Sequence, residues 1–217
     1  MEEKLKQTDI NIVKIVLFGP ESTGKTTLSK QLARYYNTVW APEYAREYLQ
    51  DKWNNERKTC ESSDLLPIAI GQMKIENDLA RKADKVLICD TDLLETKVYS
   101  EEFYGGFVDP ILEKAARANT YDLYLLTYID TPWEKDDLRD RPQERLEMFN
   151  AFETALKKYN RPYITLKGDK NTRFKRAIKE INSILKSRKD LQSFSDDLED
   201  LDLHFLHQQN NDFNVQD

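Results

Sequence analysis

The sequence predicts an α/β domain: a parallel five-stranded sheet as the middle layer of a three-layer sandwich, wound on both faces by helices. Three observations carry that reading. Short apolar runs, read as strands buried on both faces, alternate with stretches of helical period. The first run ends on a glycine that opens a helix. At 217 residues the chain is one ordinary domain, long enough to bury a core without disulfide staples.

Residues 11–18 are β-branched and apolar up to Gly19, which makes the first strand. Residues 26–36 carry Leu28, Leu32 and Tyr35 at helical spacing, and 38–41 give a short strand closed by Pro42. Ser62, Ser63 and Asp64 offer a cap to a helix running to residue 83, with Leu65, Ile68, Ile75 and Leu79 apolar and Met73 off that stripe. Residues 85–89 form a third strand ending in Asp90-Thr91-Asp92. Residues 110–118 are helical, and 123–129 are a fourth strand ending in Asp130-Thr131-Pro132. A charged helix over 138–158, a fifth strand over 163–166 and an amphipathic helix over 172–185 complete the domain. Right-handed crossovers between such strands give a doubly wound sheet. We expect a domain over 1–187 with a helical lid at about 134–150, followed by a tail over 188–217 that is a short helix or disordered.

Charge is distributed unevenly. From Asp190 onward there are eight acids and no Lys or Arg, so removing the tail from a net −6 leaves a body at +2. A body so close to neutral is not the basic face that duplex nucleic acid requires, so no nucleic-acid partner is expected. Mean hydropathy is −0.75. With no apolar run of about 18 residues and a charged start, the sequence reads as cytoplasmic, with no membrane partner. Cys60 and Cys89 fit no metal spacing, and both histidines, His204 and His207, lie in the tail, so proton chemistry in the body falls to carboxylates.

Gly19-Pro20-Glu21-Ser22-Thr23-Gly24-Lys25-Thr26 matches the phosphate-binding loop G-x-x-x-x-G-K-[ST] between a strand and a helix, which makes the fold that of a P-loop NTPase. A chance match in such a chain has a probability of about one in a hundred. Glycines let consecutive amides turn inward, and the helix start adds positive potential where phosphate oxygens sit. Gly19, Glu21, Ser22, Thr23, Gly24, Lys25, Thr26 and Thr27 are the expected ATP contacts. Lys25 serves the β and γ phosphates, and Thr26 is a ligand of Mg²⁺.

No Asn-Lys-x-Asp or Asp-x-x-Gly follows, as a GTPase would need, and the third strand does not close in Asp-Glu as in many motor ATPases. A small-molecule kinase remains. It needs an acceptor-side carboxylate and a lid arginine. Glu43 and Asp92 are candidates to engage the acceptor hydroxyl, with a solvated helix-start acid as the plain alternative for Glu43. Asp90, at the end of a parallel strand, is placed to hold Mg²⁺ or the acceptor, or else to cap the next helix. Arg139 and Arg141, with Arg145, are lid candidates that could equally be a salt-bridged surface helix. Arg46 faces the acceptor or pairs with Glu43.

These residues, together with Ala41-Pro42-Glu43-Tyr44-Ala45-Arg46-Glu47-Tyr48, Asp130-Thr131-Pro132-Trp133 and Leu138-Arg139-Asp140-Arg141, resemble the nicotinamide riboside kinase domain of NadR-type proteins, a P-loop kinase of AAA-like ATPase type. The resemblance spans roughly residues 13–187. It implies ATP- and Mg²⁺-dependent phosphorylation of the 5'-hydroxyl of nicotinamide riboside in a kinase-only version, since the body lacks the histidines of an adenylyltransferase. Trp40, Tyr44 and Tyr104 would then be placed to meet a pyridinium cation by cation–π contact, with Glu43, Arg46 and Asp92 around them, although for any one ring core packing is the better reading. By analogy with related kinases, Gly168 and Asp169 lie beside the adenine. A deoxynucleoside or nucleotide kinase, and a regulatory ATP-binding module without catalysis, are the competing readings. A homo-oligomer is possible on any of them.

Overall fold

A computed structural model of the chain describes residues 1–134, 138 and 142–188. Its sheet is parallel throughout, in the order β2-β3-β1-β4-β5. The strands are β1 (Val13–Phe18), β2 (Trp40–Ala41), β3 (Val86–Asp90), β4 (Leu123–Thr127) and β5 (Tyr163–Leu166). The helices are α1 (Lys25–Tyr35), α2 (Tyr44–Glu56), α3 (Leu65–Ala80), α4 (Leu93–Phe103), α5 (Pro110–Ala118), α6 (Arg145–Lys158) and α7 (Lys170–Ser187).

Period-two alternation along β1 builds two cores. Val13, Ile15 and Leu17 pack with Leu28 and Leu32 of α1 and Ile181 of α7, while Val16 and Phe18 pack with Val98 of α4 and Phe152 of α6. The sheet is therefore covered on both faces, as the apolar strands predicted. Lys14 interrupts that run yet is buried, its ammonium donating to Thr8 O at 3.2 Å. A third cluster joins Leu5, Leu65, Met73, Leu93 and Leu112 beside the sheet.

Boundaries follow local chemistry. Asp109 accepts from Ile111 N and Leu112 N ahead of Pro110, so α5 starts where its sequence says. Ahead of α3, Ser62–Asp64 is a 3₁₀ turn entered through a reciprocal box between Glu61 and Asp64, and Asp64 then stands at the N-cap of α3. Met73 is fully buried, so the inner face of α3 runs through Ile68, Ala69, Gln72, Met73 and Glu76, and the expected stripe through Ile75 was rotated. β2 keeps two residues, because Thr38 spends its hydroxyl on Val86 O at 2.7 Å.

The expected charged helix from 138 begins only at Arg145, after a turn at Pro142–Glu144. Met148 and Phe149 are buried, so this end of the proposed lid is a helix of the sandwich. Arg139 and Arg141 lie outside the described residues, as do residues 189–217 with the short helix expected there.

Gly71 is where α3 meets α2. A Cβ on it would lie 2.0 Å from the Tyr44 ring, and Gln72 beside it accepts from Tyr44 N at 2.8 Å and donates to Pro42 O at 3.2 Å. These contacts fix the start of α2 and with it Glu43. Gly71→Ala should therefore cost about 1–3 kcal/mol through overpacking, read as a lower melting temperature. Trimming the ring in Gly71→Ala/Tyr44→Ala should recover part of the loss, and two simply additive losses would contradict this packing.

Candidate active site

The loop between β1 and α1 is held from behind. Gly19 has φ 132°, and a Cβ there would stand 2.8 Å from Thr127 O, so the chain passes β4 too closely for any side chain. The Thr23 hydroxyl donates to Pro20 O at 2.8 Å and lies 2.7 Å from Thr127 Oγ1. Gly24, at φ 85°, begins α1. Arg173 of α7 donates to Thr23 O at 2.7 Å and to Gly168 O and Tyr128 O, and pairs with Asp130. Arg145 donates to Ser22 O at 3.2 Å and Thr131 O at 3.1 Å, beneath the Trp133 ring.

At the end of β3 the backbone decides which carboxylate faces the loop. Thr91 sits at φ 74°, an outlier for a β-branched residue, with its amide donating to Leu17 O at 3.1 Å. That turn presents Asp90 to the loop, where Oδ2 accepts from the Thr26 hydroxyl at 2.6 Å. Oδ1 of Asp90 is buried and without a hydrogen-bond partner. Burial, with Glu43 adding to it, pushes the Asp90 carboxyl up to about 7.

The same turn sends Asp92 the other way. It caps α4 by accepting from Glu95 N at 3.0 Å, accepts from the Tyr124 hydroxyl at 2.8 Å, and is 1% exposed. This corrects its assignment to the acceptor: both oxygens are engaged inside the fold, and burial pushes it up to about 6.

Lys25 is buried and turned back into the loop. Its ammonium donates to Gly19 O at 2.5 Å and Pro20 O at 3.2 Å and pairs with Glu95 Oε1 at 3.1 Å. Burial alone would lower its pKa, but Glu95, Glu43 and Asp90 hold it above the usual lysine range, so it stays charged. Glu95 was not foreseen. It stands one turn into α4, three residues after Asp92, where Asp-x-x-Glu is a capping-box signal that could have marked the helix. Its Oε2 accepts from Gly19 N at 3.3 Å. Burial raises the Glu95 carboxyl, Lys25 opposes this and Glu43 adds to it, for a value of about 8.

A cleft of about 270 Å³ opens in front of the loop. Glu21, Ser22, Thr23, Gly24, Lys25, Thr26 and Thr27 line one wall, and Glu43 and Arg46 line the other. The structure thus brings together the expected phosphate contacts and two acceptor-side residues.

It does not bring in the aromatics. Trp40 lies at the sheet edge under Lys30, Tyr44 packs on Gly71, and the Tyr104 hydroxyl donates to Cys60 O at 2.9 Å within the third cluster. None of the three lines the cleft, since each ring is used in packing. Gly168 and Asp169 also fall outside its lining. Gly168 N donates to Asp130 Oδ2 at 2.7 Å and Asp169 caps α7 at Thr172 N, leaving Lys170 as the α7 residue that lines the cleft.

A phosphate-binding loop at the C-terminal edge of a parallel sheet, with a strand-end carboxylate bonded to its threonine, defines a P-loop domain with a kinase-like fold. The chain belongs to the AAA domain family AAA_28, which it matches over residues 14–173. It is 29% identical over 174 residues to the trifunctional NAD biosynthesis/regulator protein NadR of Salmonella typhimurium, an alignment covering 79% of this chain and 42% of that protein. The chain thus spans less than half the length of that curated relative. Among solved structures, a NadR protein in complex with NR superposes with a TM-score of 0.66 at 24% identity, over 79% of this chain and 51% of that one. Thymidylate kinase from Ehrlichia chaffeensis gives 0.56 at 19% identity, over 78% and 98%. Among the described residues, no helix is long and apolar enough to cross a membrane.

Proposed function

We propose that this chain is a kinase that transfers the γ-phosphoryl group of ATP to the 5'-hydroxyl of nicotinamide riboside, giving nicotinamide mononucleotide. The observation that carries the reading is the cleft itself, with the phosphate loop on one wall and Glu43 and Arg46, at the start of α2, on the other. A donor bound on the loop and an alcohol held by α2 would meet within it, which is what transfer by proximity requires. The relationship to NadR supplies the acceptor.

Lys25 neutralises charge on the transferred group, and Glu43 orients or deprotonates the hydroxyl. Arg139 and Arg141 are proposed, from sequence, to close over it. Mg²⁺ fits the residues present. The Thr26 hydroxyl and the unpartnered Oδ1 of Asp90 are oxygen donors of the kind Mg²⁺ takes beside substrate phosphates, and among the described residues no set of three or more His, Cys, Asp or Glu suggests an all-protein cage. When bound, the ion would offset charge on the phosphate oxygens. With no aromatic of the sequence-based acceptor set in the lining, attraction for a pyridinium falls to carboxylates, of which Glu21, Glu43 and Glu134 line the cleft.

The test is turnover with labelled ATP and Mg²⁺ against nicotinamide riboside, nucleosides and nucleoside monophosphates. Phosphorylation of nicotinamide riboside is expected. Turnover with nucleosides or nucleoside monophosphates alone would replace that substrate assignment with the deoxynucleoside or nucleotide kinase reading. Binding of ATP without transfer to any acceptor would favour a regulatory module.

A further inference from the structure

We propose that Glu95 is a positioning residue for the loop lysine: it docks the Lys25 ammonium against the loop and competes with phosphate for it. The inference rests on the reading that this loop binds a nucleoside triphosphate. An ammonium has three donors; here it donates to Gly19 O at 2.5 Å and Pro20 O at 3.2 Å and forms an ion pair with Glu95 Oε1, 3.1 Å away. Phosphate oxygens that reach Lys25 must compete with these three oxygens for it. Of the three, Glu95 alone can ionise, and in its charged form it holds the ammonium more strongly than a neutral carbonyl does.

The same side chain also binds the loop backbone, since its other oxygen accepts from Gly19 N at 3.3 Å. One carboxylate from α4 therefore ties down both the first amide of the loop and its lysine. Lys25 is 8% exposed and Glu95 2%, so water screens the pair poorly. Glu43 and Asp90 add negative potential at the ammonium. A triphosphate brought into this setting meets Glu95 both as a rival for the lysine and as a like charge.

Glu95→Gln keeps the shape and an oxygen for Gly19 N while removing the charge. At about pH 9, where the Glu95 carboxyl is ionised, MgATP should bind this variant about tenfold more tightly by calorimetry, since a buried charge opposing a polyanion is gone. KM for ATP should fall by a similar factor, a larger change than in kcat, and Glu95→Asp, which restores the charge, should move affinity back toward wild type. In the empty protein, Lys25 should be acylated faster by an amine reagent in Glu95→Gln than in wild type, read by mass spectrometry with a surface lysine such as Lys74 as internal standard.

Unchanged or weaker MgATP binding in the folded glutamine variant would overturn the competition, and unchanged Lys25 labelling would overturn the docking. If the glutamine variant does not fold, Glu95→Asp carries the labelling test, because its shorter reach loosens the pair: faster labelling supports docking and an unchanged rate overturns it. Absence of MgATP binding by the wild-type chain would instead bring down the nucleotide reading and the competition with it, while labelling still decides whether Glu95 docks the lysine.

Discussion

Lys25→Met is expected to lower kcat/KM for phosphoryl transfer about 10³-fold, the scale on which removal of a preorganised positive group acts on transferring charge. The lysine sits where the first strand hands over to its helix, and among the described residues no other cationic side chain shares its contacts with Gly19 O and Pro20 O. Methionine fills the same volume, so the fold should survive, and what remains is Glu95 without its cation. That residue leaves a separate signature in stability. Its carboxyl titrates near 8 in the folded protein against an ordinary 4.5, so between those values the native state binds more protons than the unfolded chain. Stability contributed at Glu95 therefore falls as pH rises through that window and levels off above it. Without Lys25 to oppose burial, the folded value rises further, so the melting temperature of Lys25→Met should keep falling above pH 8 while wild type has levelled at this group. Kinetics close to wild type would remove Lys25 from the site, and parallel pH–stability curves would remove the pair.

How far the sequence discloses such a site depends on whether the determining contact is local. The strands were legible because burial on both faces leaves an unbroken apolar run, and α5 because Asp109 and Pro110 sit next to what they cap. Two helices were not legible, for opposite reasons. No residue of α2 is fully buried, so it has no apolar stripe, whereas α4 buries Leu93, Leu94, Glu95, Lys97, Val98 and Ser100 around its circumference and so has no polar face to set one off. The phosphate loop was legible because its residues are contiguous. Glu95 was not, because Lys25 and Gly19, its partners, arrive from another strand and helix. The aromatic acceptor face did not form for a related reason: composition says that rings are near, but Tyr44 packs on Gly71 and Tyr104 bonds to Cys60 O, and only packing reveals that. The acceptor role of Asp92 was misjudged because a left-handed Thr91, unusual for that residue, turns Asp90 toward the loop and Asp92 into the fold.

That turn sets up the second large effect. Asp90→Asn should reduce kcat/KM about 10²- to 10³-fold and raise the Mg²⁺ concentration needed for half-maximal rate, since a neutral amide offers a cation far less than a carboxylate does. Its stability should hold or rise. Burial and Glu43 already push the Asp90 carboxyl up to about 7, so the charged form is disfavoured in the empty fold and an amide can still meet the Thr26 hydroxyl. Asp92→Ala should show the opposite pattern. It removes the α4 cap at Glu95 N and the partner of the Tyr124 hydroxyl, costing about 1–3 kcal/mol, with little change in Mg²⁺ requirement. Two carboxylates separated by one residue would thus divide cleanly between chemistry and folding, as seen by rate against Mg²⁺ and by thermal unfolding. If Asp92→Ala were instead the variant whose Mg²⁺ requirement rose, the ion would have to sit on the far side of Thr91, and the pairing of Thr26 with Asp90 would be no more than a brace for the loop.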